Sequence, residues 1–212
     1  MRLYLPKSTD GPVSRYINRR ISGPMTYLIV RLGIPLTPNQ VSVISFLLGV
    51  VAAWLYLSGM PIAAGVMVQI ASIVDGVDGE LARLKKMTSK RGAFLDAVLD
   101  RLVDILVIMS LTLYLLVYDR AADPILATLI GSLALTGSLM VSYVHARGEA
   151  SVGIHPSKIG RIPNFSSRDV RLFALFLGSV LGFYVETLVF IALASYAYVL
   201  IKTVEVFLHT KS

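Results

Sequence analysis

Four aspartates lie where two strongly apolar stretches of the chain approach each other, which is an unusual place for charge. Asp75 and Asp78 follow one apolar stretch, and Asp96 and Asp100 open the next. If both stretches are helical, each pair shares a helix face, because residues three or four apart are neighbours on a helix. Carboxylates gathered at a membrane edge repel each other and are costly to dehydrate. One or two divalent cations among them would offset that cost.

The ligand types indicate which metals and which chemistry to expect. Oxygen ligands without histidine or cysteine favour Mg²⁺, Mn²⁺ or Ca²⁺ over zinc, and the chain has no cysteine. Two such ions can clamp a pyrophosphate and stabilise a leaving phosphate, which leaves Asp100 as the candidate general base. Asp104, one turn further on, is expected to form ion pairs. The alternative is that all these acids are structural partners of Arg83, Arg91 and Arg101.

The order of these residues resembles the signature of the CDP-alcohol phosphotransferases. The matching positions are Asp75, Asp78, Gly79, Ala82, Arg83, Gly92, Asp96 and Asp100, and the likeness extends to Thr37-Pro38-Asn39 and to Ser167-Arg168-Asp169-Val170. The resemblance implies an enzyme that moves a phosphoalcohol from a CDP-alcohol to the hydroxyl of an acceptor alcohol and releases CMP. It implies that Asp75, Asp78 and Asp96 hold two metal ions, Mg²⁺ or Mn²⁺, and that Asp100 deprotonates the acceptor.

The same resemblance implies a nucleotide-binding pocket. Its expected residues are Gly79, Ala82, Arg83, Gly92 and Asn39. Three cations on or after the fourth apolar stretch are candidates for binding a phosphate of the acceptor: Arg147, Lys158 and Arg161. Topology alone also explains these three, because cytoplasmic loops of membrane proteins are basic.

Residues 10–19 resemble the start of the membrane domain of di-myo-inositol-phosphate-phosphate synthases. That likeness implies CDP-inositol as donor, inositol phosphate as acceptor, and a fused or associated cytidylyltransferase domain. The alternative within the family is a phospholipid synthase that uses CDP-diacylglycerol or CDP-archaeol. An alternative outside the family is a divalent-cation transporter, although its acids should lie near mid-membrane. A homodimer is expected from the family resemblance.

Composition places the chain in a lipid bilayer. Of its 212 residues 55% are hydrophobic, which is too apolar for an ordinary soluble domain of this length. The formal net charge is +7. The lysines and arginines cluster between apolar stretches and do not alternate with aromatic residues, so membrane topology explains them better than nucleic-acid binding.

The pattern predicts an all-α membrane protein with six transmembrane helices and an interfacial amphipathic helix before them. Residues 1–10 are predicted to be a linker from an upstream soluble domain, 11–35 the interfacial helix, and 36–212 the six-helix membrane domain. Pro24 should bend or interrupt the interfacial helix. Thr37 is the expected N-cap of the first span, with Pro38 at its first position. The predicted spans cover 41–57, 62–84, 95–118, 125–144, 172–184 and 187–208.

The basic loops predict the orientation of the protein in the cell membrane. With six spans, the arginine-rich start, the loop 85–91 and the segment 145–171 fall on the same side of the bilayer. Loops rich in lysine and arginine remain in the cytoplasm. Both termini and the cluster of aspartates are therefore expected to face the cytoplasm.

Overall fold

The computed structural model describes residues 10–119, 123–160 and 162–209, which form seven α-helices and no β-strand. The helices are α1 (Arg19–Arg31), α2 (Pro38–Leu57), α3 (Pro61–Leu84), α4 (Lys90–Tyr118), α5 (Pro124–Val152), α6 (Arg168–Leu181) and α7 (Tyr184–His209). A π-helical turn, Ser14–Asn18, precedes α1, and a 3₁₀ turn, Pro156–Lys158, follows α5. The all-α prediction is confirmed. The predicted linker lies outside the described residues except for Asp10.

Five of the described helices, α2 to α5 and α7, are long and apolar enough to cross a membrane. The helix expected as the fifth span, α6, has 14 residues and a length of about 21 Å. That is shorter than the roughly 30 Å of a bilayer's hydrocarbon core. The membrane class follows from length and composition, with five candidate spans.

Helix caps fix where the site-bearing helices begin. The Thr37 side chain accepts a hydrogen bond from the backbone N–H of Gln40, and the Gln40 side chain accepts one from the backbone N–H of Thr37. This capping box starts α2 at Pro38 as predicted. Ser89 caps α4 by accepting from the Gly92 N–H, so α4 begins at Lys90, before the predicted span. Gly92 therefore lies on the helix that carries Asp96.

Two helices are longer than the sequence predicts. Helix α5 continues to Val152, beyond the predicted end at 144, because no residue breaks it until Gly153 adopts a positive φ of 72°. Its polar last turns were mistaken for a loop. Helix α1 also continues through Pro24, so of the predicted bend or interruption the interruption does not occur. One proline removes a single backbone hydrogen bond, and α1 remains packed on α3.

The bundle buries an apolar core and also exposes apolar side chains. Helix α2 packs against α3 and α4, α5 packs against α7, and α6 packs against α3. Leu111, Leu188 and Ile191 are fully buried in the core, while Trp54 and Leu193 point outward and are 60% and 68% exposed. An outer surface of this kind suits contact with lipid tails rather than water.

Helix α1 has its polar face inside and its apolar face outside. Arg19, Ser22 and Thr26 are buried against the bundle, whereas Ile21 and Leu28 are exposed. An outward apolar face fits the interfacial position predicted for this helix. Arg19 points inward, because its acidic partners Asp10 and Glu80 lie there.

Candidate active site

The acid cluster forms where α3 passes α4. Asp75 and Asp78 of α3 and Asp96 of α4 each offer a carboxylate oxygen, and these oxygens lie within 4.8 Å of one another. Opposite ligands of one Mg²⁺ lie about 4.2 Å apart, since each Mg–O bond is about 2.1 Å long. Small side-chain movements would bring the three oxygens onto one ion. The site therefore fits a divalent cation that prefers oxygen ligands.

Two serines of α2 orient the acids of α3. The Ser42 hydroxyl donates to Oδ2 of Asp78 at 2.6 Å. The Ser45 hydroxyl donates to the Ala71 carbonyl at 3.1 Å and lies 3.5 Å from Oδ1 of Asp75. Sequence analysis missed both serines. The signal was available, because they are polar residues three apart on one face of an otherwise apolar span.

Arg168, at the start of α6, links the acids across the site. Its Nη1 lies 2.9 Å from Oδ2 of Asp75 and 2.8 Å from Oδ1 of Asp100, and its Nε lies 3.2 Å from Oδ1 of Asp104. One guanidinium thus partly balances three carboxylates. Arg168 lies in one of the segments that resemble the family in sequence, but no function was predicted for it. The structure places it beside the proposed base.

Asp104 forms the ion-pair network expected of it. Its side chain is 2% exposed and lies 3.2 Å from Nη2 of Arg171 and 3.3 Å from the Ser138 hydroxyl. Arg101 lies 3.6 Å from Asp104 and 3.7 Å from Asp100. Arg101, one of the three arginines predicted as structural partners, therefore borders the cluster. Arg168 and Arg171, which were not among those three, make the shorter contacts with Asp104.

A first cavity of about 330 Å³ opens on one side of the acid cluster. Its wall includes Asp78 and Asp96 together with every residue of the predicted nucleotide pocket: Asn39, Gly79, Ala82, Arg83 and Gly92. At Gly92 a Cβ atom would lie 3.0 Å from Oδ1 of Asn39. A side chain there would push Asn39 aside, so glycine keeps this part of the cavity open.

A second cavity of about 260 Å³ meets the first at Asp78 and Asp96. It is lined by Asp75, Asp100 and Arg168 and extends toward the loop after α5. Asp100 lines this cavity and not the first. The aspartates thus form a shared wall between two spaces, and the candidate base faces only one of them.

Two histidines line the far end of the second cavity. The rings of His145 and His155 lie 4.6 Å apart, and Nε2 of His145 is 2.8 Å from the Tyr198 hydroxyl. Burial lowers the pKa of His155 below its ordinary value, and the nearby Lys158 lowers it further although Glu149 opposes this. His155 is therefore neutral at pH 7 and offers hydrogen bonds rather than charge.

Of the predicted acceptor-phosphate cations, the two that the structure describes do not reach either cavity. Arg147 is exposed on α5, and Lys158 is exposed in the 3₁₀ turn. Neither lines the first or the second cavity. Arg161 lies outside the described residues. Among the described residues, Arg19 and Arg168 are the arginines that line the second cavity.

The chain is similar in sequence to a known family and to curated proteins. The profile of the CDP-alcohol phosphatidyltransferase family matches residues 35–204. The bifunctional IPC transferase and DIPP synthase of Rubrobacter xylanophilus is 48% identical over 173 residues, which is 82% of this chain and 37% of that protein. The archaetidylinositol phosphate synthase of Pyrococcus horikoshii is 33% identical over 153 residues, 72% of each chain. The chain thus spans little more than a third of its Rubrobacter relative.

Solved structures share the fold. The phosphatidylinositol phosphate synthase of Mycobacterium tuberculosis with CDP-DAG bound superposes with a TM-score of 0.73 at 25% identity, covering 89% of this chain and 94% of that chain. The same enzyme in complex with manganese and citrate gives a TM-score of 0.71 at 25% identity and covers 88% of this chain and 89% of that one. The resemblance noted in the sequence is confirmed.

Proposed function

We propose, from the premise that this chain belongs to the CDP-alcohol phosphatidyltransferase family, that it transfers a phosphoalcohol from a CDP-alcohol to the hydroxyl of a second alcohol. The observation that carries this is the acid cluster between two cavities, with Asp78 and Asp96 in the wall of both. A reaction that joins two alcohols through one phosphate needs two binding spaces that meet at the reacting phosphorus.

The first cavity would bind the cytidine nucleotide. Gly79, Ala82 and Gly92 present little side-chain bulk there, so a nucleotide could lie close to the backbones of α3 and α4. Arg83 supplies a positive charge in the same wall. The pyrophosphate would then lie at the acid cluster, where Asp75, Asp78 and Asp96 would hold the metal.

The second cavity would bind the acceptor, with Asp100 as the general base. The acceptor hydroxyl gives its proton to Asp100 and its oxygen bonds to the phosphorus of the phosphoalcohol. The bond from that phosphorus to the oxygen of the CMP phosphate breaks, and CMP leaves. Arg168, 2.8 Å from Asp100, orients the carboxylate and would counter the negative charge of the phosphate.

A divalent metal suits this reaction and this site. We propose two ions, Mg²⁺ or Mn²⁺, because the oxygen-only ligand set fits them and a solved relative contains manganese. When bound, such ions neutralise the pyrophosphate and stabilise the leaving phosphate. The residues of this chain contribute the ligands, the base and the walls that orient the two substrates.

CDP-inositol and inositol phosphate are the substrates that we propose. Support comes from the 48% identity to the Rubrobacter IPC transferase and DIPP synthase. A phospholipid synthase using CDP-diacylglycerol or CDP-archaeol is the alternative, favoured by the archaetidylinositol phosphate synthases and by the CDP-DAG-bound structure. Both share an acceptor that carries a phosphate.

CMP release distinguishes the two pairings. Purified protein with Mg²⁺ would be supplied with CDP-inositol, CDP-diacylglycerol or CDP-archaeol, each with and without inositol phosphate. We expect CMP to appear fastest with CDP-inositol and to require both the acceptor and the metal. CMP release with CDP-diacylglycerol or CDP-archaeol but not with CDP-inositol would establish the alternative. No CMP release with any pair of donor and acceptor would contradict the proposed reaction.

The nucleotide pocket can be tested by filling it. We expect Ala82→Leu to weaken equilibrium binding of CMP in the presence of Mg²⁺ by about 5- to 150-fold, because the larger side chain would force repacking that costs about 1 to 3 kcal/mol. Ala150→Leu, at an exposed position outside both cavities, is the matched control. Unchanged CMP affinity in Ala82→Leu would mean that the nucleotide binds elsewhere.

We also propose the placement of the protein in the cell. Helix α6 would serve as a sixth, short span, with α1 in the membrane interface and residues 36–212 as the membrane domain. Because Lys85 and Lys86 lie in the loop between α3 and α4 and Arg91 lies in the first turn of α4, that side would face the cytoplasm. We further propose a homodimer and a fused or associated cytidylyltransferase domain.

A further inference from the structure

The N-terminal segment comprises residues 10–31 and includes α1. Its buried face lies against the turn of α3 that presents Asp75 and Asp78. Arg19, which is 5% exposed, donates from Nη1 to the carbonyl oxygen of Gly76 at 2.7 Å and to Oε1 of Glu80 at 2.9 Å. Gly76 directly follows Asp75 in the chain. Arg19 therefore contacts the backbone between the two aspartates.

Gly76 makes this contact sterically possible. A Cβ atom there would lie 3.2 Å from Nη1 of Arg19 and 3.2 Å from the hydroxyl of Ser22. Such distances are shorter than ordinary carbon contacts, so a side chain would displace the guanidinium. A glycine inside a helix costs about 0.5 to 1 kcal/mol relative to alanine. The close approach of Arg19 accounts for a glycine at this position.

Glu80 holds Arg19 on its α3 side. The Glu80 side chain is 1% exposed, and both of its carboxylate oxygens are used. Besides Arg19, the hydroxyl of Ser22 donates to Oε1 at 2.8 Å and the hydroxyl of Thr26 donates to Oε2 at 2.7 Å. All three donors lie on α1, so Glu80 fixes the rotation of α3 relative to that helix.

Asp10 holds Arg19 from the other side. Its two oxygens accept from Nε and Nη2 of Arg19, both at 3.0 Å. Burial by itself lowers the pKa of Arg19. The hydrogen bonds and charges of Asp10 and Glu80 outweigh burial and raise that pKa above its usual value. The backbone N–H of Ser14 donates to Oδ2 of Asp169, the residue after Arg168. The segment thus joins the two helices that carry Asp75 and Arg168.

A stability role alone does not explain this network. Replacing a buried ion pair with apolar residues of similar volume is often neutral or stabilising, because dehydrating the charges offsets their attraction. A buried pair with complete hydrogen bonds can instead specify one arrangement of the helices. Helix α1 carries an apolar face, which points outward. That face could have attached the helix to the bundle without any buried charge.

We infer that Arg19 is a positioning residue for the metal ligands, holding the Asp75–Asp78 turn of α3 through Gly76 and Glu80 so that both carboxylates converge with Asp96. This inference rests on the proposed function, because it assigns the acid cluster to a divalent metal. It makes the N-terminal segment a part of the active centre although Arg19 forms no ion pair with the cluster itself.

The direction of the effect separates positioning from electrostatics. Removing a positive charge near four carboxylates should strengthen cation binding if Arg19 acts only through its charge. Removing a residue that orients the ligands should weaken it, and losing a hydrogen-bonded residue behind metal ligands costs about 10- to 100-fold in metal affinity. The two roles therefore predict opposite results.

The test measures Mn²⁺ binding directly, by electron paramagnetic resonance of the free ion, with the full chain in detergent and no substrate. Arg19→Gln should raise the Mn²⁺ dissociation constant about 10- to 100-fold. Arg19→Lys keeps the charge but cannot reproduce the fork of contacts, so it should also weaken binding, to a smaller extent. Arg20→Gln, at the exposed neighbouring position, should leave Mn²⁺ affinity unchanged.

Other outcomes would overturn the inference. Tighter Mn²⁺ binding in Arg19→Gln would mean a purely electrostatic role. Unchanged Mn²⁺ affinity with a higher KM for the acceptor would mean that Arg19 contacts the acceptor in the second cavity. A lower melting temperature with unchanged Mn²⁺ affinity in the folded protein would mean that Arg19 only attaches α1 to the bundle. If Arg19→Gln does not fold, unchanged affinity in Arg19→Lys contradicts positioning by itself.

The wild-type protein separates failure of this inference from failure of the proposed function. If it binds Mn²⁺ yet releases no CMP with any substrate pair, the proposed reaction is wrong, and the comparison of Mn²⁺ affinities still decides the role of Arg19. If it releases CMP and the variants bind Mn²⁺ as tightly as wild type does, the reaction stands and the positioning role is wrong.

Discussion

Replacing Asp100 with asparagine should lower turnover by about 10²- to 10⁴-fold and leave nucleotide binding intact, the range expected when a general base is lost. Asparagine keeps the shape of the side chain and a hydrogen bond to Arg168, but it cannot accept the acceptor's proton. Asp100 lines only the second cavity. The pocket proposed for CMP is therefore untouched by the change.

Two measurements on each variant make this prediction specific. CMP release gives turnover, and equilibrium binding of CMP with Mg²⁺ gives nucleotide affinity. Asp75→Asn should lower both, because Asp75 is one of the three proposed metal ligands. Glu186→Gln, an exposed acid at the start of α7, should change neither. Equal residual activity in Asp100→Asn and Asp75→Asn would contradict the division between base and metal ligand.

Replacing Arg168 with methionine should destabilise the metal-free protein by about 3 to 5 kcal/mol, the cost of removing one partner from a buried ion pair. The Arg168 side chain is 15% exposed and contacts Asp75, Asp100 and Asp104, of which Asp104 is 2% exposed. Methionine has a similar volume and no charge. The three carboxylates would then repel each other without this cation.

Divalent metal should reverse part of that loss. With Mg²⁺ bound among the aspartates, the ion supplies some of the charge that Arg168 provided, so the free energy of unfolding should recover toward the wild-type value. The measurement is denaturant unfolding in detergent with and without Mg²⁺. Arg31→Met, at an exposed position of α1, is the control and should show the same Mg²⁺-dependent change in stability as the wild-type protein. An Arg168→Met protein as stable as wild type without metal would contradict the charge-balancing role.

Local spacing predicts the acid cluster, whereas the nucleotide pocket was expected from the family resemblance. Asp75 and Asp78 share a helix face through their separation of three, and Gly79 and Ala82 follow on the same helix. Once α3 and α4 pair, these residues can only meet at the helix ends. The structure brings Asn39 into the same wall through α2, whose start is fixed by the Thr37 cap.

The partners of these acids could not be predicted, because they come from distant parts of the chain. Arg168 follows Asp75 by 93 residues, and Arg19 precedes Glu80 by 61. Hydropathy marks both arginines as candidates for a polar surface or for lipid head groups. Only the packing of α1 and α6 on α3 turns them inward. Sequence alone also could not show which basic residues turn inward. Arg147 and Lys158 were therefore expected at an acceptor site, but in the structure they are exposed.

The end of α5 shows a second limit of sequence reasoning. A change from apolar to polar residues marks where a helix leaves the bilayer, and it does not mark where the helix stops. Residues 145–152 remain helical, so His145 projects from α5 into the second cavity rather than from a loop. The reliable stop signal was Gly153, whose positive φ ends the helix.

The shared wall of Asp78 and Asp96 also bears on stereochemistry and kinetic order. If the incoming oxygen arrives from one cavity while the departing CMP occupies the other, attack and departure are collinear, and the configuration at phosphorus inverts once. Both substrates must then be bound together before any bond breaks. The proposed reaction would then proceed through a ternary complex rather than through a ping-pong cycle with a covalent phosphoalcohol–protein intermediate.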